Sequence, residues 1–321
     1  MEQRILVTGS QGFVGKHLRA ALSARGIGML GADVPGSGAE LPVDLASPEF
    51  DAPALARATG PVHGVIHLAA RITRGSSVDA QARTNLVTIA DAPLRIWEAY
   101  HEAHGATHLV YCSTFKTYGP ASVQPIDPEK PPQRPDPHSY GSAKALAERL
   151  LRIAATRLGS GFAVVRPTCI YGPGQHLHNA IPVFLRACLD GKSPTVFGNG
   201  QARRDDVLAS DLAYCLLEAS LRRTVGAFHA GGERGRSILE VAELCCRAAE
   251  RLGGPTGLKP VLDAGRPPKW WLDQSFDISS TKRALDYVPT PLLEGLVQEA
   301  EWISAGAQPE TSIAHAPVRS R

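Results

Sequence analysis

Arg4-Ile-Leu-Val-Thr8-Gly9-Ser-Gln11-Gly12-Phe13-Val14-Gly15 decides the fold. Its first five residues form a short run that reads as a buried strand, and the run stops at a glycine. Glycines 9, 12 and 15 are evenly spaced, and beyond them Leu18, Leu22 and nearby alanines recur at helical spacing. A strand, a glycine turn and a helix in that order make the spacing informative. The first two glycines allow a tight turn and a close approach of backbone to a pyrophosphate, which sits on the positive end of the helix. The third allows helix and strand to pack closely. The expected fold is α/β, a Rossmann-type doubly wound parallel sheet, with Gly9, Gln11, Gly12, Phe13, Val14 and Gly15 lining a dinucleotide site.

A second strand, Ile27-Gly-Met-Leu-Gly-Ala-Asp33, ends in a carboxylate placed to accept hydrogen bonds from an adenosine ribose and to repel a 2′-phosphate. No Arg or Lys follows Asp33 before position 57, so NAD is expected rather than NADP. The alternative for Asp33 alone is a loop cap. Val62-His-Gly-Val-Ile-His-Leu68-Ala69-Ala70 reads as the next buried strand, its small terminal residues leaving room for a cofactor.

Leu109-Val-Tyr-Cys-Ser-Thr114-Phe-Lys116-Thr-Tyr-Gly119 is an apolar strand ending in hydroxyl residues, and Tyr140-Gly-Ser-Ala-Lys144 follows at a helix start. Four-residue spacing puts Tyr140 and Lys144 on one helical face. A phenol titrates near ~10, and a neighbouring ammonium favours its ionised form. Thr114 adds a hydroxyl to hold a substrate oxygen.

Composition narrows the class. The 321 residues are 43% hydrophobic and 20% charged with a formal net charge of +3, and the basic residues are scattered, which excludes a nucleic-acid tract. Cys112, Cys169, Cys188, Cys215, Cys245 and Cys246 show neither metal-ligand spacing nor a disulfide framework, so no metal and reduced thiols are expected. With a strand starting at once and no membrane-length apolar run, the expectation is a cytoplasmic protein with no membrane partner.

The Thr, Tyr-x-x-x-Lys set and the Thr-Gly-x-x-Gly-x-x-Gly loop resemble the short-chain dehydrogenase/reductase superfamily. Arg166-Pro167-Thr-Cys169-Ile-Tyr-Gly-Pro173 resembles the Arg-Pro-x-Asn-x-Tyr-Gly-Pro signature of its extended branch, the NAD-dependent nucleotide-sugar epimerase/dehydratase family, with Cys169 at the usual Asn. Arg204-Asp-Asp-Val-Leu-Ala-Ser-Asp-Leu-Ala213 resembles its Arg-Asp-Phe-x-x-Val-x-Asp-x-Ala stretch. The resemblance implies tightly held, recycled NAD contacted by Asp44, Leu45, Leu68, Ala69, Ala70, Asn85, Tyr140, Lys144 and Pro167. It implies a nucleotide-sugar substrate contacted by Asn179, Val196, Phe197, Arg204 and Arg266, the two arginines gripping phosphate oxygens bidentately. It also implies a homodimer. The NAD domain would span 1–165 with 204–226 returning to it, the substrate domain 166–203 and 227–305, and 306–321 would be a disordered tail.

Within the family a keto sugar formed by oxidation at C4 leads to different products. The 4,6-dehydratases read Ser-Thr-Asp-Glu-x-Tyr-Gly, and here Phe115 and Lys116 replace the acid and the base. Lys116 at the base position favours a 5,6-dehydratase of the kind that serves antibiotic biosynthesis, a lyase. If Lys116 points outward or grips a phosphate, a 4-epimerase using Thr114, Tyr140 and Lys144 is the alternative. A ketoreductase exchanging free cofactor and a non-catalytic NAD sensor are further alternatives.

Overall fold

The computed structural model describes residues 3–70, 83, 85–119, 124–129, 139–265 and 274–306. Its strands in chain order are β1 (Arg4–Thr8), β2 (Gly28–Asp33), β3 (Leu41–Pro42), β4 (Gly64–His67), β5 (His108–Cys112), β6 (Phe162–Pro167) and β7 (Cys169–Tyr171). They continue as β8 (Thr195–Phe197), β9 (Arg203–Arg204), β10 (Asp206–Leu208), β11 (Gly226–Ala230), β12 (Arg236–Ser237) and β13 (Val261–Asp263). Seven of them form a parallel sheet in the order β11-β6-β5-β4-β1-β2-β3. The expected doubly wound α/β architecture is thus observed.

These strands are apolar on both faces because helices cover both. Leu6, Leu109, Tyr111, Phe162 and Val164 face a core shared with helices Ala52–Thr59, Ala92–His104 and Ser139–Leu158. The alternate residues Ile5, Val7, Val110, Ala163 and Val165 face helices Phe13–Ala24 and Ala209–Leu221. A third core joins helices Ala180–Leu189, Ile238–Arg251 and Leu292–Ser304 into a smaller unit. A small aromatic cluster of Phe115, Tyr118, Ile126 and Phe276 lies apart from these.

Two expected boundaries move. β11 lies beyond the proposed return at 226, yet it pairs with β6 from Gly226↔Ala163 to Ala230↔Pro167, so the central sheet reclaims the chain through Ala230. Phe228 and Ala230 pack into the same core as Ala163 and Val165, which is why the strand belongs there. The helix leading to β5 begins as a π-helical turn, Leu86–Asp91, before continuing as Ala92–His104. Pro93 has no N–H for the Ile89 carbonyl four residues back, and the Tyr111 hydroxyl donates to that carbonyl instead at 2.9 Å. Arg266 and residues 307–321 of the expected tail lie outside the described residues.

Candidate active site

The glycine loop is built by close approach. Gly9 has φ +72°, and a Cβ there would sit 2.8 Å from the Ala69 nitrogen at the end of β4. A Cβ on Gly15 would meet the Gly9 and Ser10 carbonyl oxygens at 2.5 Å, so only glycine lets the helix start beneath the loop. Helix Phe13–Ala24 follows Gly12 with no side chain capping it, leaving its first amides facing the loop. Val14 is partly buried against the core.

Asp33 closes this end. Its Oδ2 accepts from the Gln11 amide at 2.8 Å and its Oδ1 from the Val34 amide at 2.8 Å. The carboxylate thus caps the glycine loop from the end of β2. Asp44 accepts from the Ala46 amide at 2.9 Å, whereas Leu45 is buried in the sheet core. Leu68 and Ala69 follow β4 and bind back to Thr8, through its carbonyl at 3.1 Å and its hydroxyl at 3.4 Å. Ala70 is exposed, Asn85 is buried just before the π turn, and Pro167 ends β6. The glycine turn, crowded by backbone where a Cβ would sit, lies at the carboxyl end of β1 and is a cradle that fits a dinucleotide pyrophosphate.

The π turn is held from below by two groups the sequence reading did not single out. His67 Nε2 meets the Thr88 carbonyl at 3.1 Å and its Nδ1 meets the Thr8 hydroxyl at 2.9 Å, while the ring stacks on Tyr111. Burial, with the Lys144 charge adding to it, holds His67 down at about 3, so it is neutral.

Lys144 lies under the end of β5. Its Nζ donates to the Cys112 carbonyl at 2.6 Å and sits 4.6 Å from the Tyr111 ring centroid and 5.9 Å from that of Tyr140. Only 1% of the side chain is exposed, and burial lowers its pKa to about 8. The Tyr140 phenol is raised above its ordinary value, again by burial. In the chain alone, burial therefore governs the phenol, and the lowering expected from Lys144 does not emerge. Thr114, 6% exposed, follows two residues after that carbonyl, and its hydroxyl accepts from the Lys116 amide at 3.4 Å.

Behind the set runs a buried network that sequence reasoning missed. The Ser113 hydroxyl donates to Glu148, whose carboxylate takes the Nε and Nη2 edge of the Arg166 guanidinium at 3.0 and 2.6 Å. Arg166 also donates to the Tyr118 hydroxyl and, at 2.8 Å, to the Pro128 carbonyl. Glu148 one helical turn beyond Lys144 was a legible signal; its partner from β6 was not.

The substrate end is less regular. Asn179 precedes helix Ala180–Leu189 but does not cap it; its Nδ2 donates to Gln175 at 3.2 Å, and Gln175 donates to buried Glu299. Val196 is fully buried, whereas Phe197 is exposed beside it on β8. Arg204 has its Nε and Nη2 edge taken by Asp206, the Nε bonds measuring 2.8 and 2.9 Å, so the bidentate edge expected to face a diphosphate is already occupied. Asp206 stands where the motif carries Phe, and it pairs across β7–β10 with Cys169, which stands at the motif Asn. Phe115, Cys169, Arg204, Gln274 and Phe276 line a narrow cleft there. Burial pushes the Cys169 thiol up to about 11, with the charges of Arg204 and Lys116 acting the other way. Among the described residues no group of three or more His, Cys, Asp or Glu side chains could hold a metal, and no helix is long and apolar enough to cross a membrane.

Residues 5–228 match the model of the NAD dependent epimerase/dehydratase family. A Bacillus subtilis protein described as an uncharacterized UDP-glucose epimerase, YtcB, is 27% identical, covering 96% of this chain and 100% of its own. The UDP-glucose 4-epimerase of Corynebacterium glutamicum is 26% identical over 86% and 92% of the two chains. The solved structure of MoeE5 in complex with UDP-glucuronic acid and NAD is 26% identical with a TM-score of 0.75, covering 94% of this chain and 99% of that one.

Proposed function

Because this chain belongs to the NAD dependent epimerase/dehydratase family, we propose that it uses tightly held, recycled NAD to oxidise C4 of a UDP-hexose or UDP-N-acetylhexosamine transiently. The observation that carries the reading is buried Lys144, fixed by the Cys112 carbonyl two residues before Thr114 and 5.9 Å from the Tyr140 ring centroid. Bound NAD supplies the hydride acceptor and donor, and a positive charge near Tyr140. Thr114 holds the C4 oxygen, Tyr140 takes the hydroxyl proton, and Lys144 keeps the phenol oriented. Burial of Tyr140 and Lys144 excludes water from the proton transfer.

The fate of the keto sugar is assigned to Lys116. Its amine takes the C5 proton and passes it to the departing C6 hydroxyl, which leaves as water. With Tyr140 giving its proton back to O4 and bound NAD the source of the hydride for C4, the product would be a 5,6-alkene, as in the 5,6-dehydratase of tunicamycin biosynthesis. Supporting this is the absence of carboxylates at 115 and 116. A 4-epimerase is the second reading, favoured by the names of the similar proteins; it needs only Thr114, Tyr140 and Lys144, and Lys116 then plays no chemical part. Lys116→Met separates them. If it stops C5 proton exchange in deuterated water while C4 oxidation continues, the dehydratase stands; an unchanged sugar product returns the assignment to 4-epimerase.

A second copy of the chain is the proposed partner. Helix Ser139–Leu158 presents Leu146 and Ile153 outward, two helical turns apart and 41% and 67% exposed. An Ile153→Asp variant is expected to run as a monomer in light scattering where the parent runs as a dimer.

A further inference from the structure

The segment Gln274–Asp277 crosses the short 3₁₀ turn Phe115–Thr117 that carries Lys116. Gln274 donates to the Gly119 carbonyl, Phe276 bridges to Ile126 and packs on Phe115, Tyr118 and His229. His229, fully buried on β11, links this strap to the turn. Its Nδ1 lies 2.9 Å from the Asp277 carbonyl, which can only accept, so the ring proton is on Nδ1. Nε2 is then an acceptor, and the Tyr118 hydroxyl 2.7 Å away must donate to it. With its hydrogen spent, that hydroxyl receives Arg166, whose other edge holds Glu148, which holds Ser113. One arrangement of protons satisfies the chain from Asp277 to Ser113, all five of its side chains being 5% exposed or less. It ends between Cys112, whose carbonyl fixes Lys144, and Thr114.

We propose that His229 is a positioning residue: by accepting the Tyr118 hydroxyl while tied to the strap carbonyl, it holds the Phe115–Thr117 turn, and through Arg166, Glu148 and Ser113 it holds Thr114. The account of turnover rests on the proposed C4 chemistry; the account of order in the turn does not. A second, milder variant is Tyr118→Phe, which keeps the ring in the aromatic cluster and deletes only the donated proton.

The test compares parent, His229→Leu, His229→Gln and Tyr118→Phe by amide hydrogen exchange over residues 113–119 and by turnover on UDP-glucose and UDP-N-acetylglucosamine. In His229→Leu and Tyr118→Phe, protection over 113–119 is expected to fall about tenfold while the central strands keep theirs. The kcat is expected to fall about tenfold, with KM and NAD affinity within about twofold. His229→Gln, whose longer amide places an acceptor oxygen where Nε2 stands, recovers most of both. Parental protection in Leu and Phe variants overturns the proposal, as does a Gln variant as impaired as Leu. If the parent itself turns over neither sugar, the proposed function fails, and hydrogen exchange alone decides the role of His229.

Discussion

Replacing Lys144 by Met is expected to stabilise the cofactor-free protein while ending its activity. The side chain is 1% exposed, and burial lowers its pKa from 10.5 to about 8. At about 1.4 kcal/mol per pH unit, holding that ammonium in the folded chain costs about 3 kcal/mol at pH 7. Met fills a similar volume without charge, but it leaves the Cys112 carbonyl without its donor, which costs about 1 kcal/mol or more. The net expectation is a gain of up to about 2 kcal/mol at pH 7. The pH dependence follows in sign. Below pH 8 both folded and unfolded Lys144 are protonated and the cost is present in full. Between pH 8 and 10.5 the unfolded chain holds the extra proton, so the parent gains stability as pH rises. About 2 of the ~3 kcal/mol return by pH 9.5, and the advantage of the variant disappears accordingly. Urea unfolding of both proteins at pH 7 and pH 9.5 measures this. A variant less stable than the parent at pH 7, or a difference that does not change with pH, would refute the argument that burial sets the Lys144 pKa.

Tyr140→Phe should abolish turnover and keep NAD, checked by product analysis and by cofactor fluorescence; full activity would remove the proton relay. Asp33→Ala should weaken NAD binding about tenfold by calorimetry, since it removes both the ribose acceptor and the anchor of the Gln11 amide. Gly15→Ala should eliminate NAD binding, because its Cβ would press on the Gly9 and Ser10 carbonyls at 2.5 Å. Glu148→Leu should cost about 3–5 kcal/mol in urea unfolding by stranding the Arg166 charge, a loss that a merely exposed pair would not produce.

The cofactor half of the site was legible because its residues are consecutive and its reasons local. Gly12 and Gly15 answer to backbone contacts within one strand–turn–helix unit, Gly9 answers to Ala69 just past the neighbouring strand β4, and Asp33 ends the adjacent strand β2. Tyr140 and Lys144 share one helix, so their relation was also local. What was not legible depends on the register between distant strands. Asp206 reaches its place beside Cys169 only through the β7–β10 pairing, and its capture of Arg204 could not be read from a motif in which Arg alone was expected to meet phosphate. His229 meets Tyr118 across 111 residues of sequence, through a strand whose membership of the central sheet was itself misplaced.

The most direct test of the central claim is a crossover experiment by mass spectrometry. UDP-glucose or UDP-N-acetylglucosamine carrying deuterium at C4 is mixed with the same sugar labelled only with carbon-13, and the purified protein is added without free cofactor. The account predicts turnover with the deuterium still in the sugar that brought it, whether the product is a 5,6-alkene lacking one water or a 4-epimer. Deuterium exchanged between the two sugars or lost to the medium, or no turnover of either sugar, would contradict it.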